Sequence, residues 1–95
     1  MSKVSTSPTT FIHKLKEALA DGLSAVGIDA EVTFEAVRMT KLYRVLVVAK
    51  QFKHMRPSER QDLVWRIASS TLSPAEQLRI SMILTLTPDE MQGNW

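Results

Sequence analysis

Ile28-Asp29-Ala30-Glu31-Val32-Thr33-Phe34-Glu35-Ala36 alternates apolar and polar side chains without a break. In an extended chain successive side chains point to opposite faces, so this period predicts a strand over residues 28–36 with one buried and one wet face. The run Leu42-Tyr43-Arg44-Val45-Leu46-Val47-Val48-Ala49 is nearly all apolar and rich in β-branched residues, the pattern of a central strand covered more completely. Only a short segment, residues 38–41, parts the two, so they are expected to pair as an antiparallel hairpin.

Upstream, Phe11, Ile12, Leu15, Ala18, Leu19, Leu23 and Val26 recur at helical spacing with Lys14, Lys16, Glu17 and Asp21 between them. This predicts a helix from about Thr10 that stops at Gly27, the residue that adopts a left-handed conformation at least cost. Residues 1–9 are rich in Ser and Thr, with little to bury, and read as a flexible tail. They lack the apolar stretch of a signal peptide.

Downstream, residues 51–57 read as a basic loop. Ser58-Glu59-Arg60-Gln61 has the form of a capping box, predicting a helix from Ser58 whose apolar stripe is Leu63, Val64, Ile67, Ala68 and Leu72, with Trp65 beside it. Ser73-Pro74-Ala75-Glu76 repeats the box with proline at the first helical position, and predicts a short turn. Residues 79–87 alternate again, with Ile80, Met82, Leu84 and Leu86 on one side, Ser81, Thr85 and Thr87 on the other, and Ile83 out of pattern. Thr87-Pro88-Asp89-Glu90 is a third box, placing a last helical turn before a tail over residues 92–95.

The assembled order is α-β-β-α-β. Each long helix has one apolar face, so both are expected on one side of a three-stranded sheet in a single α+β domain over residues 10–91. Ninety-five residues hold one core and leave no room for a second domain. Apolar residues at 44% and charged residues at 23% are those of a globular chain. The chain has no cysteine, which removes disulfides, thiolate metal sites and thiol nucleophiles and fits a reducing cytoplasm. No apolar run approaches the roughly 20 residues of a membrane span.

The chemistry of catalysis is missing from the pattern. Gly22, Gly27 and Gly93 are scattered and form no phosphate loop. His13 and His54 have no carboxylate at ligand spacing, and no Ser is paired with a His. The expectation is a binding or regulatory module, with no enzyme activity, no metal and no cofactor.

With that architecture in view, the chain resembles the BolA-like family, whose α-β-β-α-β core is related to the class II KH fold. The resemblance covers residues 10–91 and rests on Val45-Leu46-Val47-Val48-Ala49 with Gln51-Phe52, on Glu59-Arg60-Gln61-Asp62-Leu63-Val64-Trp65, and on Thr85-Leu86-Thr87-Pro88-Asp89-Glu90-Met91. It implies a regulatory or adaptor role and, as a partner, a monothiol glutaredoxin. That family shares an iron–sulfur cluster with its partner through a last-strand histidine and a histidine or cysteine in the first hairpin loop. Here Leu84 stands at the first position, residues 38–41 offer neither ligand, and Gln61 stands where the helix-start histidine is expected.

Charge is polarised along the chain. Arg38, Lys41, Arg44, Lys50, Lys53, Arg56 and Arg60 face a single acid, Glu59, over residues 38–60, although the net charge is only +2. In class II KH domains the nucleic-acid backbone is gripped at the start of the helix after the second strand. The matching stretch here, residues 51–59, lacks glycine but gathers cations at a helix N-terminus, where free amides also favour phosphate. Arg38, Lys41, Lys50, Lys53, His54, Arg56 and Arg60 are therefore the candidate nucleic-acid contacts, with Tyr43 and Phe52 as stacking platforms if exposed. The competing reading makes the cations a solvated rim and Tyr43 and Phe52 core. A protein partner docking on the open sheet face or a helix surface is the alternative function. Trp65 and the methionines read as packing residues, and Trp95 as part of the tail.

Overall fold

Gly27 ends the first helix as its sequence position predicts. In the computed structural model, which describes residues 8–93, it has φ 82°, and the turn it closes brings donors to two carbonyls of the last helical turn. Ile28 N–H donates to Leu23 O (2.9 Å) and Gly27 N–H to Ser24 O (3.0 Å), while Leu23 and Ile28 are both buried. These are the bonds and the apolar contact of a left-handed helix stop. The helix itself, α1 (Pro8–Ser24), starts ahead of its apolar stripe, at Pro8, where the missing N–H costs nothing. Residues 1–7 and 94–95, which include most of the expected N-terminal tail and half of the C-terminal one with Trp95, lie outside the described residues.

β1 (Glu31–Ala36) and β2 (Tyr43–Val48) form the expected antiparallel hairpin, with Val32 opposite Val47 and Phe34 opposite Val45. In the loop, Thr40 Oγ1 donates to Val37 O (2.8 Å) and accepts from Leu42 N–H (3.0 Å). Met39 sits there at φ 65°, 96% exposed.

The first part of the basic loop expected over residues 51–57 belongs to a 3-10 helix, Lys50–His54, pinned by the fully buried Phe52. The helix that follows, α2 (Pro57–Thr71), starts one residue ahead of its expected first residue, Ser58. Its N-cap is Arg56, whose N–H donates to Glu59 Oε1 (2.8 Å), because Pro57 fits the first helical position and draws the start forward. Ser58 and Gln61 therefore do not cap each other. The other two boxes form as read. Ser73 and Glu76 exchange bonds ahead of α3 (Pro74–Gln77), and Thr87 and Glu90 do so ahead of α4 (Pro88–Met91).

β3 (Ile80–Leu86) lies parallel to β2, giving the order β1-β2-β3. Its alternation shifts where the sequence suggested continuity. Tyr43 pairs with Ile80 but Arg44 pairs with Met82, so Ser81 is an extra residue in a bulge, its Oγ donating to Tyr43 O (3.2 Å). Beyond the bulge the faces exchange. Ile83 and Thr85 point to the helices and are buried, while Met82, Leu84 and Leu86 point to the open side.

The core lies between the sheet and the two long helices. Phe11, Leu15, Leu19 and Leu23 of α1 and Val64 and Ala68 of α2 pack over Val32, Val45, Val47 and Ile83. The helices approach closely at Gly22, where a Cβ would stand 2.9 Å from Ile67 Cδ1. The opposite sheet face is uncovered, as expected, but less polar than expected: Leu46, Val48, Leu84 and Leu86 line it, partly buried, beside Met82.

Candidate functional site

The 3-10 helix sorts its side chains by period. Phe52 turns into the core, which leaves Lys50, Lys53 and His54 exposed. Arg56, one residue before α2, is exposed as well, next to the free amides of that helix's first turn. Lys50 and Lys53 border a cleft of about 470 Å³ whose other walls are Thr87, Pro88, Asp89 and Glu90 and whose lining includes Arg60. Four of the seven candidate cations thus share one corner of the molecule.

The other three do not join them as exposed cations: two lie at another corner, and Arg60 lines the cleft from within. Arg38 and Lys41 are exposed at the tip of the hairpin, at the opposite end of β2, about 20 Å away for a six-residue strand. Arg60 is only 6% exposed, and its guanidinium is held by protein acceptors. Nε donates to Met55 O (3.2 Å), and Nη1 donates to Thr85 O (3.1 Å) and to Glu90 Oε1 (2.9 Å). Its Cζ lies 5.6 Å from the centroid of the Phe52 ring. The expectation of Arg60 as a phosphate contact gives way to that of an internal clamp. The sequence held a signal for this: Arg60 precedes Val64 and Ala68 at helical spacing, on the stripe that faces the sheet.

Gln61 acts beside it. Its Nε2 donates to Ile83 O (2.8 Å) and to Thr85 Oγ1 (3.3 Å), so it satisfies a buried threonine and a strand carbonyl. The carboxyl of Glu90 is held below its ordinary value of 4.5, first by the hydrogen bond from Arg60 and then by the backbone of Thr87. Glu76 is lowered likewise by Ser73 N–H and by Lys14, whose Nζ lies 2.9 Å from its carboxylate.

The two expected stacking platforms are occupied internally. Phe52 is fully buried, and Tyr43 packs against Phe11 at 5.9 Å beneath the guanidinium of Arg79. Trp65 packs against the core, and His13 is an exposed helix residue 3.3 Å from Glu17. Among the described residues no three His, Cys, Asp or Glu side chains gather as metal ligands. Leu84 faces its apolar neighbour Leu46, and the hairpin tip carries Arg38, Met39 and Lys41, so this donor set does not fit an iron–sulfur cluster. No helix among the described residues is long and apolar enough to cross a membrane.

No protein-family profile matches the chain, and no curated protein matches it by sequence. Solved structures do match. BolA1 from Arabidopsis thaliana superposes with a TM-score of 0.51 at 19% identity, over 80% of this chain and 94% of that one. A bol-like protein from Babesia bovis superposes with a TM-score of 0.51 at 22% identity, over 96% of each chain. The α-β-β-α-β arrangement with its mixed three-stranded sheet is the fold of these BolA-like proteins.

Proposed function

We propose that this protein is a small, non-enzymatic BolA-like regulatory domain that binds nucleic acid through Lys50, Lys53, His54 and Arg56. The observation that carries the reading is the anchoring of Phe52. One buried ring fixes a 3-10 helix so that its cations project into solvent beside the N-terminus of α2. Fixed cations and free helix amides attract the phosphate backbone without reading base identity. With Tyr43 and Phe52 internal, stacking on bases contributes nothing, and binding is governed by charge and salt.

The test is the double substitution Lys53→Glu and Arg56→Glu, titrated with single- and double-stranded DNA and RNA at low and moderate salt. Each phosphate contact contributes about 0.7–0.9 to the slope of log K against log salt, so the variant is expected to bind at least tenfold more weakly with a slope reduced by roughly 1.5. Unchanged binding, or none by the parent, removes the proposal.

The second reading is a protein-partner module. The open sheet face favours it, because Leu46, Val48, Leu84 and Leu86 form an uncovered apolar stripe. A monothiol glutaredoxin is the partner the fold suggests, engaged without cluster ligands from this chain. Retention of a protein after nuclease treatment of a pull-down, with no binding of oligonucleotides, selects this reading.

A further inference from the structure

The outer edge of β1 combines two features: a strand edge that pairs with no other strand of the sheet, and a largely apolar groove beside it. Val37 N–H donates to Leu42 O (3.0 Å), which fixes the phase of the antiparallel ladder. Residues 31, 33 and 35 exchange bonds with β2, and Val32, Phe34 and Ala36 direct their N–H and C=O groups outward. Alongside runs a groove of about 610 Å³ between α1 and the strand, lined by Ile12, Lys16 and Ala20 of the helix and by residues 30–34. The two faces of this edge differ in charge. Val32 and Phe34, on the side packed against α1, are apolar, and the open side presents Glu31, Thr33 and Glu35, all exposed.

We propose that the β1 edge is a docking strand for an extended peptide segment that alternates apolar and basic residues, bound as a fourth strand. Backbone groups opposite Val32, Phe34 and Ala36 supply the hydrogen bonds, as in other cases of strand addition. Side chains opposite those residues enter the groove, where the stem of Lys16 covers them while its ammonium stays in water. Side chains opposite Glu31 and Glu35 lie within reach across the ladder, and basic residues there are favoured. A second copy of this chain is disfavoured in the register centred on Thr33. An antiparallel β1–β1 pair centred on Thr33 sets Glu31 against Glu35 of the other copy at both ends, and like charges directly opposite destabilise a ladder. This inference is independent of the nucleic-acid reading, whose cations lie after β2.

The probe is a capped heptapeptide, Val-Lys-Val-Thr-Val-Lys-Val, titrated into isotopically labelled full-length protein. Antiparallel to β1, its lysines are spaced to meet Glu31 and Glu35, and its valines face the groove and exchange bonds with Val32, Phe34 and Ala36. The expected result is chemical-shift change centred on the amides of Val32, Phe34 and Ala36. Binding is at least tenfold weaker for the peptide with Glu in place of both Lys, and absent when the valines are N-methylated. Glu31→Lys with Glu35→Lys reverses the preference between the two peptides, and both positions are exposed, so the fold is kept. Shifts centred elsewhere, equal response to the N-methylated peptide, or concentration-dependent change at those amides without peptide would each overturn the proposal.

Discussion

Along β3 the carbonyls that point away from the sheet are taken, and along β1 they are not. Tyr43 N–H bonds to Arg79 O and Ala49 N–H to Leu86 O, which fixes the side of β3 that faces β2. The carbonyls of Ile83 and Thr85 then point outward, and these two accept from Gln61 and Arg60. Two side chains from the first turns of α2 occupy the acceptors that another strand would use. Among the described residues the β1 edge has no such cover, and it is marked by charge instead, through Glu31 and Glu35. A sheet edge can be made unreceptive by capping or left receptive to a selected partner by charge, and this domain does one on each side.

The largest expected effect comes from breaking the cap. Arg60→Ala removes three hydrogen bonds, leaving the Thr85 carbonyl without its side-chain donor and Glu90 with Thr87 N–H alone. A loss of about 2–3 kcal/mol is expected for the orphaned acceptors and the emptied guanidinium site, measured by urea unfolding. Arg60→Lys is expected to recover less than half of it, since one ammonium cannot reproduce the planar fork that reaches Met55, Thr85 and Glu90. Gln61→Ala comes next, at about 1–2 kcal/mol for the uncapped Ile83 carbonyl and the orphaned Thr85 hydroxyl. A stability within error of the parent in either variant would mean that the β3 edge is not held by these side chains.

The cap also titrates. Because the folded Glu90 carboxyl lies below 4.5, its contact with Arg60 contributes fully above that value and is lost as pH falls through the depressed folded value. Glu90→Gln is therefore expected to be less stable than the parent at neutral pH and to lose less stability below pH 4.5. Urea midpoints taken stepwise across that acid range measure it. Glu76, lowered by Ser73 and Lys14, keeps some acid sensitivity in the variant.

What the sequence made legible was local. Alternation and a short connection located the β1–β2 hairpin, Gly27 located the end of α1, and two capping boxes located the short helices. What it hid was set by partners distant in the chain. Ser58 and Gln61 satisfy the spacing of a box, yet Gln61 is drawn to Ile83, 22 residues on, and Pro57 fixes the start. The bulge at Ser81 inverts the faces of β3 with no local mark, which is why Ile83 looked out of pattern while lying in the core. Of the candidate site, the cations around Phe52 were legible as a cluster. Arg60 was grouped with them because charge reads as surface, although its helical spacing from Val64 points inward.

The smallest effect on stability carries the sharpest information about the open edge. Glu31→Thr with Glu35→Thr removes two exposed carboxylates, and with them the ion pair of Glu35 with Arg44 Nη1 at 3.1 Å. An exposed pair of this kind is worth about 0.5 kcal/mol or less, and threonine suits a strand, so the unfolding midpoint should hardly move. Self-association should move a great deal. With the like charges gone, an antiparallel β1–β1 pair centred on Thr33 meets no repulsion along its length, and the groove beside α1 extends across the junction. Sedimentation velocity over a range of concentrations is expected to show dimer in the variant where the parent shows none. Persistence of the monomer in the variant would mean that the acidic row does not guard this edge, and that its twist or the overhang of α1 does so.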